Sequence, residues 1–159
     1  MEEFFITFGG LIVFLHIISA VIWVGGMIAI RFAVHYSIQD IEDPKVKLGR
    51  TLELLRRFFN MVIPSIVVLL VTAVMMSIGL GLKETPLYPL VHIKETIWSV
   101  MTIIFAIIYI KRNKAQRFFD DGDLKSAKEK LTPLALWMIP TNIVLGLVAL
   151  YLGVVLRGL

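Results

Sequence analysis

Cysteine is absent from the 159 residues. That excludes disulfides, thiolate metal sites, iron–sulfur clusters and covalent c-type haem attachment. Charge is missing where it matters most for fold class. Four stretches, at 4–30, 58–82, 96–110 and 131–156, contain no Asp, Glu, Lys or Arg. A basic N-terminal region is also missing, since the chain opens with Glu2 and Glu3 ahead of a 27-residue apolar run. A cleaved signal peptide needs the opposite flank and a shorter run, so a retained span is expected. Histidine occurs only three times, and the methionines form no Met-x-x-Met cluster.

What is present is apolar: 58% of residues are hydrophobic and the mean hydropathy is +0.85. A soluble domain of this size does not have that composition, and a multi-span membrane protein does. About 20 helical residues cross a bilayer core. The third run has 15, with His92, Lys94 and Glu95 at its start. Counting back ~20 residues from Lys111 places that trio at the opposite boundary. Four spans follow, at approximately 4–31, 58–82, 90–110 and 132–156, in a single transmembrane domain.

Thirteen of the sixteen Lys and Arg residues lie in the two loops that follow spans one and three. By the positive-inside rule those loops are cytoplasmic and both termini lie outside. The net charge of +4 is therefore a topology signal, and no nucleic-acid partner is expected. Leu48, Leu52, Leu55 and Phe59 recur at helical spacing amid basic residues, which predicts an amphipathic helix along the headgroups before span two. In the second basic loop Asp123 is a candidate N-cap for a short helix running toward Lys130.

The halves repeat at an offset of 76 residues. His16-Ile17 falls on His92-Ile93, and Ile63-Pro64-Ser65 on Ile139-Pro140-Thr141. Two pseudo-repeated helical hairpins would place His16 opposite His92 across a pseudo-twofold axis along the membrane normal. Pro64 and Pro140 are expected to kink their spans, with Asn142 satisfying freed backbone groups. Gly25 and Gly26 are expected to permit close helix packing.

An ionisable side chain inside a span is costly and functional by default. His16 shares a helical stripe with Ser19, Ala20, Trp23, Met27 and Arg31, and His92 with Glu95, Thr96 and Ser99. Two imidazoles offered from separate helices are what bis-imidazole b-type haem ligation needs. Glu95 or Ser99 would tune the imidazole, and Lys94, ~200° round its helix from His92, could snorkel to a propionate or a lipid headgroup. The plainer alternative makes both histidines interhelical hydrogen-bonders worth ~1 kcal/mol each. His35, beside Tyr36, is an interfacial residue. Met61, Met75 and Met76 on span two keep copper open, because thioethers are soft Cu(I) ligands.

At "LHIISAVIWVGGMIAIRFAVHYS" (15–37) and "LVHIKETIW" (90–98) the chain resembles the CopD/HemJ-like group of four-helix bacterial membrane proteins. Trp23–Gly26 and "IPTNIVLGLVALYLG" (139–153) are more similar to CopD-domain proteins, associated with copper resistance. "LHII" (15–18), the later Arg31 and His35, and the His92-Ile93-Lys94 triplet resemble HemJ-type protoporphyrinogen oxidases, which bind haem b. The resemblance implies His16 and His92 as haem contacts and Arg31 and Lys94 as functional charges.

The expectation is thus an all-α integral membrane four-helix bundle in a bacterial inner membrane, holding one b-type haem between spans one and three. His16 and His92 ligate the iron, and Trp23, Arg31, Lys94, Glu95 and Ser99 surround it. Its role would be electron transfer, or oxidation of a quinol or porphyrinogen-like substrate, with a redox partner protein and a second copy of the chain as possible associates. A copper-transport or copper-resistance protein is the competing class, and a structural subunit of a membrane complex the third.

Overall fold

A computed structural model describes the backbone of residues 2–156 and the side chains of residues 4, 5 and 7–156. Four long helices account for nearly all of it. The first, α1, runs as Glu2–Ala20, a π turn Val21–Gly25, Gly26–Ala29, a second π turn Ile30–Val34, and His35–Gln39. The second, α2, is Pro44–Gly79, followed by a single 3₁₀ turn Leu82–Glu84. The third, α3, is Tyr88–Asp120, and α4 comprises Leu124–Pro133, a π turn Leu134–Met138, and Ile139–Val155. No strand occurs among the described residues.

Each of the four is long and apolar enough to cross a membrane. They form a helical bundle whose neighbours follow chain order, α1 on α2, α2 on α3, α3 on α4 and α4 back on the middle of α1. α1 and α3 therefore stand on a diagonal. The chain's two ends share one face of the bundle (the terminal face), and the two basic connections share the other (the basic face).

Short connections make the hairpins tight. Asp43 caps α2, its Oδ1 accepting from Lys45 N (2.8 Å) and Val46 N (3.1 Å), with Pro44 in the first turn where its missing N–H costs nothing. Asp123 caps the start of α4 by accepting from Ser126 N at 3.0 Å, as its place in the sequence predicts. The Ser126 hydroxyl first, and this backbone bond second, hold its carboxyl below the usual carboxylate range. Gly122, at φ +82°, makes the reversal before it in a region closed to most side chains.

The helices overhang the ~20 residues that a bilayer core requires, mostly at the basic face. Here one expectation is corrected. Residues 44–57 do not lie along headgroups; they continue span two as one unbroken helix. Leu48, Leu52, Leu55 and Phe59 are buried, in one core with Ile108, Ala115, Ala127 and Leu131. The apolar stripe is covered by the overhanging ends of α3 and α4 rather than by lipid. Ala115 and Ala127, both fully buried, are small enough to let those ends approach closely.

The waist of the bundle is filled by aromatic and small residues in alternation. Trp23 meets Phe105 edge-on at 6.2 Å, and Phe59 meets Phe105 at 5.2 Å. Gly26 lies directly under the Phe58 ring, and a Cβ on Gly146 would stand 2.6 Å from Val24. Gly26 thus serves close packing as the sequence predicts, whereas Gly25 meets only Val21 of its own helix.

α2 passes through Pro64 without a break. In α4 the π turn Leu134–Met138 falls where Pro140 has no N–H to give the Leu136 carbonyl. Asn142 does not repair that gap; its Nδ2 donates across to Met101 O of α3 at 3.2 Å.

The 76-residue offset does not carry the burial register. Ser65 is buried and its counterpart Thr141 exposed; His16 is half-buried and His92 exposed. Inward positions recur one residue later in the second helices, pairing Val62 with Ile139, Ser65 with Asn142 and Leu69 with Gly146. In the first helices they recur two residues later, pairing Trp23 with Met101 and Met27 with Phe105. π turns insert residues unevenly into α1 and α4, so matching letters need not share a face.

Candidate functional site

The terminal half of the bundle is built differently from the waist. There Glu2–Ala20 packs mainly along α2, and α3 packs on α4, so the hairpins are less closely joined. Each contributes an ionisable side chain to the interior.

From α1 comes His16. Its Nδ1 lies 2.8 Å from Thr72 Oγ1 of α2. Thr72 has one hydroxyl hydrogen, and the 2.6 Å bond to Val68 O uses it. The His16–Thr72 contact therefore has the imidazole Nδ1–H donating and the hydroxyl oxygen accepting. The Leu69 carbonyl also accepts from the ring; with the proton on Nδ1, Nε2 keeps its lone pair. Thr72 is itself buried on the face that carries Ser65 and Leu69, so its oxygen is held in place by packing.

From α3 comes Lys94. It is half-buried, and its Nζ reaches across to α4, where a Cβ on Gly153 would stand 3.0 Å away. Glycine at 153 is what lets the ammonium lie against that helix. Its charge is within electrostatic reach of His16.

His92 points elsewhere. The two residues separating it from Lys94 put them on opposite sides of α3, and it is Lys94 that takes the inner side. The His92 side chain is 58% exposed and donates from Nδ1 to Glu95 Oε2 at 3.0 Å. The Tyr88 ring stands against it at 4.5 Å. Glu95, Thr96 and Ser99 share this outward face, and the Thr96 and Ser99 hydroxyls donate back to His92 O and Glu95 O. The histidines of spans one and three do not face each other.

The remaining candidates are scattered. Trp23 is 1% exposed in the waist, a packing residue whose Nε1 has no hydrogen-bond partner. Arg31 is ~22 Å along α1 from His16, with its guanidinium over Phe32 at 5.9 Å. His35 lies near the basic face, edge-on to Tyr36. Met27 and Met101 are buried in the waist, while Met61 is exposed. No group of three or more His, Asp or Glu residues converges on a metal-sized site among the described residues.

The sequence does not announce the setting of two cations. Lys94 is expected near a propionate or headgroup at the outer interface; its seat against Gly153 of α4 is not visible in the sequence. Arg112 was counted only as a topology signal. It is 6% exposed, and its guanidinium donates to Leu52 O (2.8 and 3.3 Å), Gln116 Oε1 (2.9 Å) and Asn113 Oδ1 (3.2 Å). A lone Arg at the start of a basic loop looks like any other in the sequence.

Whether a b-type haem fits can be asked of these residues. In the waist, the space among Met27, Phe58, Phe59, Phe105 and Ile139 is about 10 Å³, room for one water-sized sphere at most. A porphyrin cannot enter there. In the terminal half, His16 supplies one imidazole nitrogen with the other already committed, the arrangement usual for a metal-ligating histidine. Lys94 is a cation in the same half of the bundle, the charge type a propionate would need. The chemistry of His16 is that of a single axial ligand, and His92, which faces outward, is not placed to be the second from the same chain. Comparison of the chain with protein-family models, with curated proteins and with solved structures gave no match.

Proposed function

We propose that this chain is an integral membrane redox protein that holds one b-type haem through His16, in the terminal half of the bundle. The observation that carries the reading is the His16–Thr72 bond, which fixes the imidazole with Nε2 free. The CopD/HemJ-like resemblance at 15–37 and 90–98 points the same way.

Thr72 holds the ring orientation and the tautomer, and so keeps a basic nitrogen directed at the site. Lys94 offsets the negative charge of a propionate, which would otherwise be costly in an apolar setting. Ser19, buried one turn below His16, adds a polar group to the same wall. The haem, when bound, supplies one-electron transfer. Electrons would come from a quinol or porphyrinogen-like substrate dissolved in the bilayer and leave to a partner protein. With the basic loops in the cytoplasm of a bacterial inner membrane and both termini outside, the site lies in the outer leaflet. The outward His92–Glu95 pair on α3 then offers a second copy of the chain a polar contact.

A reduced-minus-oxidised visible spectrum of detergent-purified protein, with pyridine haemochrome quantitation, tests this. A sharp b-type α-band near one haem per chain is expected, lost in His16→Ala and retained in His92→Ala. Absence of a Soret band after expression with haem precursor overturns the reading. So does equal loss in both variants, which returns the second ligand to His92.

A further inference from the structure

On the basic face, well away from His16, a recess of about 410 Å³ opens between the end of α3 and the start of α4. It is lined by Lys114, Arg117, Phe118, Asp121 and Lys130. Its volume is within the range of small-ligand sites.

Its height relative to the bilayer is set by the helices. The uncharged run of α3 ends at residue 110, which puts Lys114 ~6 Å and Arg117 ~10 Å beyond it along the axis. Lys130 stands immediately before the uncharged run of α4. The headgroup layer is ~5–7 Å deep on each side of the hydrocarbon. Lys114 and Lys130 thus stand at the depth of a headgroup layer, with Arg117 just above. The half-buried Phe118 gives the recess an apolar wall on which a glycerol backbone can rest.

The charge balance names the ligand class. The recess has three cations and one carboxylate, and none of the four takes part in an ion pair within 4 Å among the described residues. Elsewhere on the same face, Arg56 and Arg57 are already paired with Glu53. A net charge of two, unpaired at headgroup level, calls for two negative charges. We infer that this recess binds an anionic phospholipid whose headgroup carries two phosphates, as basic pockets between membrane helices do. The site is independent of haem and of the redox reading.

The test uses the full chain in nanodiscs of neutral phosphatidylcholine with and without a few mole per cent of diphosphatidylglycerol, with bound lipid counted by native mass spectrometry. Lys114→Gln with Lys130→Gln removes two lining cations; Lys125→Gln with Lys128→Gln removes the same charge from exposed positions outside the recess. The first pair should weaken diphosphatidylglycerol binding about 30-fold, at roughly fivefold per cation, and the second should leave it within about twofold. Equal loss in both pairs means diffuse surface attraction and overturns the proposal, as does no loss in either. Millimolar inorganic phosphate added to the wild type separates headgroup from free anion: displacement of the lipid by phosphate alone would make this a phosphate site and overturn the assignment to lipid.

Discussion

The two ends of this bundle use the same four helices for different ends. Toward the basic face the helices are locked: aromatics interleave with glycines at the waist, alanines bring the overhangs together, and Arg112 ties α3 to the Leu52 carbonyl of α2. Toward the terminal face the hairpins are less closely joined, and the polar contacts there are single bonds around ionisable groups. The difference is the one expected if the terminal half holds the site proposed for it, since a site needs local freedom while its supports stay put.

The largest effect should come from the locked end. Arg112→Ala removes a buried cation and leaves Gln116 Oε1 and Asn113 Oδ1 without their donor. A loss of about 3 kcal/mol is expected, measured by denaturant titration in detergent. Arg112→Met, which keeps the volume, should recover part of it. A loss no greater than that of Lys114→Ala, at an exposed position on the same helix, would show that the tie contributes nothing and that the two ends are alike.

Substitution at two glycines should have opposite signs, although Gly79 at the terminal end of α2 is packed against the Phe5 ring as Gly146 is against Val24. Gly146→Ala pushes a methyl group against Val24 in the waist and should cost about 1–3 kcal/mol through overpacking. At Gly10, on the terminal half of α1, an added Cβ meets nothing within 4 Å. Gly10→Ala should therefore gain up to about 1 kcal/mol from helix propensity. A matching cost at both sites in thermal unfolding would mean that the exposed face of α1 at Gly10 is not open as its surroundings indicate.

Much of this architecture was legible in the sequence. Uncharged runs gave the four spans, and Asp123 announced the start of α4, because hydrophobic length and capping chemistry are local properties. The stripe Leu48-Leu52-Leu55-Phe59 was recognised as amphipathic but assigned to lipid, since a periodic pattern shows that a face is buried and not what buries it. The histidine pair was harder. Matching letters at a fixed offset assumes equal helical phase, and π turns in α1 and α4 break that assumption. The residue of α3 that turns inward is Lys94, against Gly153, and Thr72, in an apolar stretch of span two, is the side chain that holds the His16 ring.

The smallest effect is the most specific to the terminal half. Thr72→Val keeps the shape of the side chain and removes the oxygen that accepts from His16 Nδ1–H. Interhelical hydrogen bonds in membranes are worth ~1 kcal/mol, so the stability change will be slight and global unfolding is a blunt probe of it. Nitrogen NMR of the His16 ring is the sharper one. In the wild type Nδ1 should carry the proton and Nε2 should not; in Thr72→Val the preference should be lost and the two tautomers should mix, while Thr72→Ser should restore it. An unchanged His16 signal in Thr72→Val would mean that the hydroxyl does not set the tautomer, and the terminal half would then have lost its claim to a prepared ligand.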